Sequence, residues 1–172
     1  KLLLMQVFTY SAFWKFVYRY LNLVLTPLLI LYILPIGLRL DKDLILLVPF
    51  TISIFILYYL NKSYFVFYKL VPYKIEADDE KIICSQFIFK QKEITILMKD
   101  IDSLSGGIFD GRYRGLMKVS DGKNKVAIGF FDRMIGSQKL VTLLLSKVDM
   151  KIYNEVIPKI KELKIKPEIK SK

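Results

Sequence analysis

Hydrophobic positions change rhythm once along this chain, near residue 70: before it they form long runs, and after it they come in short groups separated by turn-forming residues. Two runs, residues 20–38 (YLNLVLTPLLILYILPIGL) and 44–60 (LILLVPFTISIFILYYL), contain no charged side chain. At about 1.5 Å of rise per residue, stretches of roughly 17 to 20 residues cover about 25 to 30 Å, close to the hydrocarbon thickness of a bilayer, so each predicts a transmembrane helix. Only Arg39, Leu40, Asp41, Lys42 and Asp43 separate them. A connection that short predicts a tight hairpin over residues 20–61, with both chain ends on one side of the membrane. Pro27, Pro35 and Pro49 fall inside the runs and predict local bends.

Ahead of the first run, Ser11, Lys15, Arg19 and Asn22 recur at helical spacing as a narrow polar stripe, while Phe8, Phe13, Trp14, Phe16 and Tyr18 cover the remainder. This pattern predicts an amphipathic helix over residues 1–19 lying in the membrane interface, or else docking on a partner's transmembrane helices. It lacks a small-x-small cleavage pattern and does not read as a signal peptide. Aromatic residues gather again where the second run ends. The expected membrane-interface set is therefore Trp14, Lys15, Arg19, Tyr58, Tyr59, Tyr64 and Phe67.

From residue 70 to 148 the pattern predicts short strands at 73–76, 81–89, 93–98, 103–109, 115–119 and 125–131. The acidic Asp78, Asp79 and Glu80 form the first turn, and Asp121, Gly122, Lys123 and Asn124 make a tight turn between the last two strands. Val126, Ile128 and Phe130 alternate toward one face. A helix follows, N-capped by Ser137, with Leu140, Leu143, Leu144 and Val148 on its buried side. Ile152, Val156, Ile160 and Leu163 continue helical spacing in residues 149–172, kinked or restarted at Pro158, before a lysine-rich tail at 164–172.

Composition narrows the chemistry. The chain has 172 residues, 53% of them hydrophobic, and no histidine, which removes His-based triads and imidazole metal sites. A single cysteine, Cys84, forms no internal disulfide and sits in an apolar strand pattern as a buried, inert thiol. Asp100, Asp102, Asp110 and Asp132 are carboxylates without an accompanying nucleophile or metal ligand. No catalytic residue, metal or cofactor is therefore expected.

Lys and Arg number 27 against 16 Asp and Glu. Lys1, Lys15, Arg19, Lys62, Lys69 and Lys74 flank the outer ends of the two runs, whereas Arg39 and Lys42 in the loop are balanced by Asp41 and Asp43. The positive-inside rule then places both termini in the cytoplasm of a bacterial inner membrane or, alternatively, in a mitochondrial matrix. Arg112, Arg114, Lys118, Lys123, Lys125 and Arg133 form a basic stretch, read as a candidate patch for an acidic partner surface or an anionic leaflet. No recognition-helix or RNP-like motif accompanies it, so nucleic acid is not an expected partner. Gly106, Gly107 and Gly111 are not followed by Lys-Ser/Thr and read as bends rather than a phosphate loop.

The order of these segments resembles the bacterial PH-like domain family attached to paired transmembrane helices. The resemblance is carried by YKIEADDEKII at 73–83, ITILMKDIDSL at 94–104 with its Asp100-Ile101 step, and the 115–131 hairpin before the helix. It extends over residues 20–148. It implies an α+β membrane protein in which a two-helix transmembrane hairpin is followed by a split, bent PH-like β-barrel with a C-terminal capping helix. Relatives of that fold that bind phosphoinositides use basic residues around the first hairpin loop. Here the loop is acidic, which argues against that ligand. The resemblance implies a non-enzymatic binding or scaffold subunit with membrane lipids and other membrane-protein subunits, or its own copies, as partners. The alternative is an accessory or assembly subunit of a larger energy-converting or transport complex.

Overall fold

The structure, a computed structural model, describes residues 5–88 and 93–169, with side chains of the last helix described to residue 163. It divides into two compact units, Ala12–Lys69 and Lys1–Ser11 with Leu70–Lys172.

The first unit is a pair of long helices, α1 (Ala12–Gly37) and α2 (Leu47–Leu70), joined through a 3-10 turn at Leu44–Leu46. Both outrun the predicted spans, α1 at its start and α2 at its end. At 26 and 24 residues they measure about 39 and 36 Å. Trp14, Lys15 and Arg19 thus lie in the first two turns of α1 rather than in a separate helix. Of the most apolar stretch of each helix, only 11% and 6% is buried, and each is long and apolar enough to cross a bilayer. Pro49 lies in the first turn of α2, where its missing N–H costs nothing, whereas Pro27 and Pro35 lie inside α1. Gly37 lets the Phe50 ring close the hairpin tip, since a Cβ there would stand 3.1 Å from that ring.

One polar ring ties the helices together. Asn22 Nδ2 donates to Asn61 Oδ1 (3.0 Å), Asn61 Nδ2 donates to Thr26 Oγ1 (3.1 Å), and the Thr26 hydroxyl donates back to Asn22 Oδ1 (3.1 Å). Asn61 Nδ2 also reaches Leu57 O at 2.9 Å. Lower down, the Tyr64 and Tyr68 hydroxyls of α2 donate to Val17 O (3.3 Å) and Arg19 O (3.1 Å) of α1. Between two apolar helices, such bonds supply the directional attraction that apolar contact alone lacks.

The second unit begins with a strand that the periodicity did not separate from a helix. Gln6–Thr9 is β1, antiparallel to β2 (Lys74–Ala77), with Gln6 opposite Ala77 and Thr9 opposite Lys74. The expected interfacial helix over 1–19 is thus corrected at these positions; residues 1–4 lie outside the described residues. Phe8 and Tyr10 alternate inward at 3% and 2% exposure while Val7 points out, and this period of two decides for strand. β3 (Lys81–Ser85) and β4 (Ile94–Leu97) complete a four-stranded antiparallel sheet in the order β1-β2-β3-β4. The far part of the predicted 81–89 strand does not form: Gln86 turns out at φ 63, and residues 89–92 are outside the described residues.

A second sheet holds β5 (Ser103–Ser105), β6 (Leu116–Asp121) and β7 (Val126–Phe131), in that order and antiparallel. β5 is shorter than predicted because Gly106 and Gly107, at φ 76 and 49, lead the chain into a 3-10 turn at Gly107–Asp110. A Cβ on Gly106 would stand 2.1 Å from Leu116 O, so only glycine fits there. The two sheets meet at one corner through a single Tyr10–Met134 bridge, and the Phe131 N–H donates to the Tyr10 hydroxyl at 2.9 Å. They do not close into a barrel. The core between them is built from Ile75, Ile82, Ile96, Phe109, Val119, Ile128 and Phe130, each no more than 1% exposed.

Two helices follow, α3 (Ser137–Lys147) and α4 (Met150–Ile169). Leu140 and Leu144 are buried as expected, but Ser137 is not the cap. Gly136 holds that position at φ 78, and the Ser137 hydroxyl donates instead to Asp132 O (2.8 Å). α4 runs through Pro158 without restarting and is held by Val156, Leu163 and a Tyr113 hydroxyl bond to Leu163 O. Six of the seven strands follow the helical pair, as expected, and one precedes it.

Two outcomes test this architecture. Phe8→Ala empties a buried site and is expected to destabilise the β domain by about 3 to 5 kcal/mol in denaturant unfolding of the detergent-solubilised chain, where an interfacial helix would predict almost no change. Asn61→Ala opens the polar ring and is expected to weaken the helix pair by about 1 kcal/mol, read from its unfolding in mixed micelles.

Candidate functional site

Among the described residues the β domain carries a groove of about 590 Å³. Its floor is apolar: Ile108 and Met117 beside the 3-10 turn, Val141 and Leu145 from α3, Ile157 and Ile160 from α4. Its rim is polar, with Arg114, Asp132, Gln138 and Thr142. The groove exists because Gly107 and Gly111 let three chain segments approach closely. A Cβ on Gly111 would stand 3.2 Å from Lys159 O of α4, so the 3-10 turn and the helix pack backbone to backbone. An apolar floor with a few polar rim groups suits an amphipathic occupant rather than a highly charged one.

The residues of the predicted basic patch are spread along the length of the β6–β7 hairpin. Leu116 pairs with Phe131, so Arg114, two residues before the former, and Arg133, two residues after the latter, leave β6 and β7 at the same end, with Arg112 close by in the chain. Lys123 and Lys125 sit in the turn at the opposite end, where Asp121 pairs with Val126. Lys118 lies midway on the outward face of β6, next to Gly129. Six residues of strand separate the two ends by about 17 to 20 Å. Closeness in sequence was misleading because a hairpin sends its turn and its open end to opposite poles.

At the turn end the lysine is already engaged. Lys123 Nζ lies 2.6 Å from Asp100 Oδ1, which holds the ammonium above its ordinary value, mainly through that hydrogen bond. Asp121 accepts from the side chain and backbone of Asn124 (2.7 and 3.1 Å), and these bonds hold its carboxyl below the usual carboxylate range. Gly122 lies under the Asp102 carboxylate, which would have to swing aside for a Cβ that would otherwise stand 2.1 Å from it. The acidic first turn is also a structural device. Asp78 accepts from the Glu80 and Lys81 N–H groups, both at 2.8 Å, and is likewise lowered by them. Burial pushes the Cys84 thiol up, in keeping with an inert packing role.

The arginine end has different neighbours. Arg133 Nε lies 3.7 Å from Asp132, and the following residues turn sharply, Met134 N–H donating to Phe131 O (3.1 Å) and Ile135 N–H to Thr9 O (2.8 Å). Of the expected interface residues, Trp14 stacks on Tyr18, Tyr58 meets Tyr59 edge-on and lies under Lys62, and Tyr64 contacts Phe67 and Tyr68. Tyr58 and Tyr59 are exposed, while Tyr64 is buried against α1. Sequence reasoning missed Asn61, which only the antiparallel register of the helices sets beside Asn22 and Thr26, and Tyr113, whose role depends on α4.

Comparisons with protein families, with curated proteins and with solved structures return no match.

The two lowered carboxyls give a pH dependence with a definite sign. A group whose folded pKa lies below its unfolded value contributes stability above the unfolded pKa and loses that contribution as pH falls through the folded value. Domain stability is therefore expected to decline on acidification below about pH 4. Asp121→Asn is expected to flatten that decline, as checked by denaturant unfolding along a pH series.

Proposed function

We propose that this chain is a non-enzymatic binding or scaffold subunit of a membrane, anchored by α1 and α2 as a transmembrane hairpin and presenting a PH-like domain on the side where the helices begin and end. The observation that carries the reading is the pairing of β1 with β2. The strand before the helical pair and the strand after it are hydrogen-bonded neighbours, so anchor and domain are one covalent construction with two connections rather than two modules on a string. Those connections are short, with Tyr10 and Ser11 on one side and Val71, Pro72 and Tyr73 on the other. Two or three residues extend at most about 10 to 15 Å, which keeps the domain at the bilayer surface.

Four strands, then three, then C-terminal helices support the PH-like reading, with the helical pair inserted after the first strand rather than set ahead of the domain. The basic flanks and the neutral loop at residues 39–43 favour a cytoplasmic domain in a bacterial inner membrane. In this reading the α3–α4 groove receives an amphipathic segment of a membrane-protein partner or of a second copy.

Extraction of the tagged full-length chain in mild detergent is expected to give a native mass above that of a single chain, with a stoichiometric partner or a second copy. Leu145→Glu in the groove is expected to reduce it to a monomer while leaving the unfolding midpoint of the domain close to the parent's. A parent protein that runs alone as a monomer would sink the reading.

A further inference from the structure

The two connections leave the β domain at one corner. Tyr10, two residues before α1, bridges Met134 and sets its ring against that of Tyr73, three residues after α2, at a centroid distance of 6.1 Å. The loop between β7 and α3, residues 132–136, is fastened to the same corner by the bond from the Ile135 N–H to Thr9 O (2.8 Å). Ala12, the first residue of α1, is three residues beyond Thr9, so the loop stays within about 15 Å of the start of that helix at any angle between the two units.

The loop holds an unusual pair of side chains. Met134 and Ser137 on either side are buried, yet Ile135 between them is 61% exposed. It is held outward rather than left loose. Ser137 N–H donates to Met134 O (3.0 Å), and Gly136 adopts φ 78 with its backbone against the Phe8 ring, where a Cβ would meet carbon at 3.2 Å. Arg133 is the adjacent exposed cation, and Arg114 leaves β6 at the same end of the sheet. A single exposed isoleucine is ordinary on a protein surface. One presented by a hydrogen-bonded turn, beside an exposed arginine that also lies 3.7 Å from Asp132, on a loop tied to the point where the chain enters an apolar helix has the chemistry of an interfacial contact, apolar tip toward acyl chains and guanidinium toward lipid phosphate.

We infer that the β7–α3 loop is a second membrane contact, Ile135 entering the interfacial layer of an anionic leaflet and Arg133 meeting its phosphates. The inference rests on the reading that α1 and α2 span the bilayer, and it adds that the domain lies against the membrane on a defined corner.

The test uses the full chain in lipid nanodiscs of phosphatidylcholine with or without phosphatidylglycerol, carrying an environment-sensitive fluorophore on Ile135→Cys, Lys125→Cys or Leu31→Cys. Cys84 is fully buried, and the unlabelled parent checks that it stays unreacted. In anionic discs the label at 135 is expected to be quenched by headgroup-level spin-labelled lipid and shielded from iodide, while the label at 125, at the opposite end of the β6–β7 hairpin, shows the reverse. Arg133→Gln is expected to shift the position-135 signal about fivefold toward water in anionic discs and to leave it unchanged in neutral ones. Iodide quenching at 135 equal to that at 125 would overturn the inference, provided the label at 31 remains in lipid. Iodide reaching position 31 would overturn the spanning reading itself, and the inference with it.

Discussion

Four backbone pairings between Gln6–Thr9 and Lys74–Ala77 decide how this molecule is put together. Without them the first residues would be a leader to a membrane hairpin and the β domain would start at an open sheet edge. With them, the edge of β2 is covered, Phe8 and Tyr10 enter the core, and the helical pair becomes a long excursion between two adjacent strands. An uncovered edge strand is a template for unwanted pairing, and β1 removes that hazard at β2 while fixing the points where the chain departs for and returns from the helices. The corner contacts, from the Tyr10–Met134 bridge to the Ile135–Thr9 bond, all depend on β1 being in register.

The helical unit relies on a different economy of forces. The most apolar stretch of each helix is hardly buried, so in the proposed bilayer setting apolar contact would give the helices little reason to prefer each other over lipid. Directional bonds supply that preference. Asn22, Thr26 and Asn61 satisfy one another in a closed ring, and among the described residues no buried side-chain nitrogen or oxygen lacks a partner. The tyrosines near the end of α2 add two more bonds to carbonyls of α1, close to the aromatic and basic residues that suit a headgroup layer.

How much of this could be read from residues alone follows from the range of each interaction. The Asp121 turn, the β6–β7 hairpin and the buried face of α3 are local patterns, and Ile128, Phe130, Leu140 and Leu144 are buried where their spacing put them. β1 was hidden because Gln6–Thr9 is rich in apolar residues that also fit a helical stripe; the distinguishing signals were the alternation of Phe8 and Tyr10 and a serine of N-cap type at position 11. The basic stretch was legible as charge but not as an arrangement in space. Six basic residues within one short stretch looked like a surface, but β6 carries Arg114 and Lys123 to opposite poles, and Asp100 occupies the lysine. The groove was invisible to sequence because it needs α4 to lie against the turn at Gly107–Asp110, a contact with no local signature.

Thr9 and its partner Lys74 are 65 residues apart, and everything between them is the helical pair with its connections. During synthesis β1 emerges first and has nothing to pair with until both helices have been made and the chain has turned back. Chain closure over such a distance is entropically unfavourable unless something brings the ends together, and a helical hairpin does so. If α1 and α2 span a bilayer as proposed, failure of the second helix to insert would leave β1 and β2 on opposite faces and the sheet without its outer strand. On the proposed transmembrane reading, completion of the β domain would thus report on topology: a chain whose second helix had not crossed would keep β1 and β2 apart and leave the core without Phe8 and Tyr10.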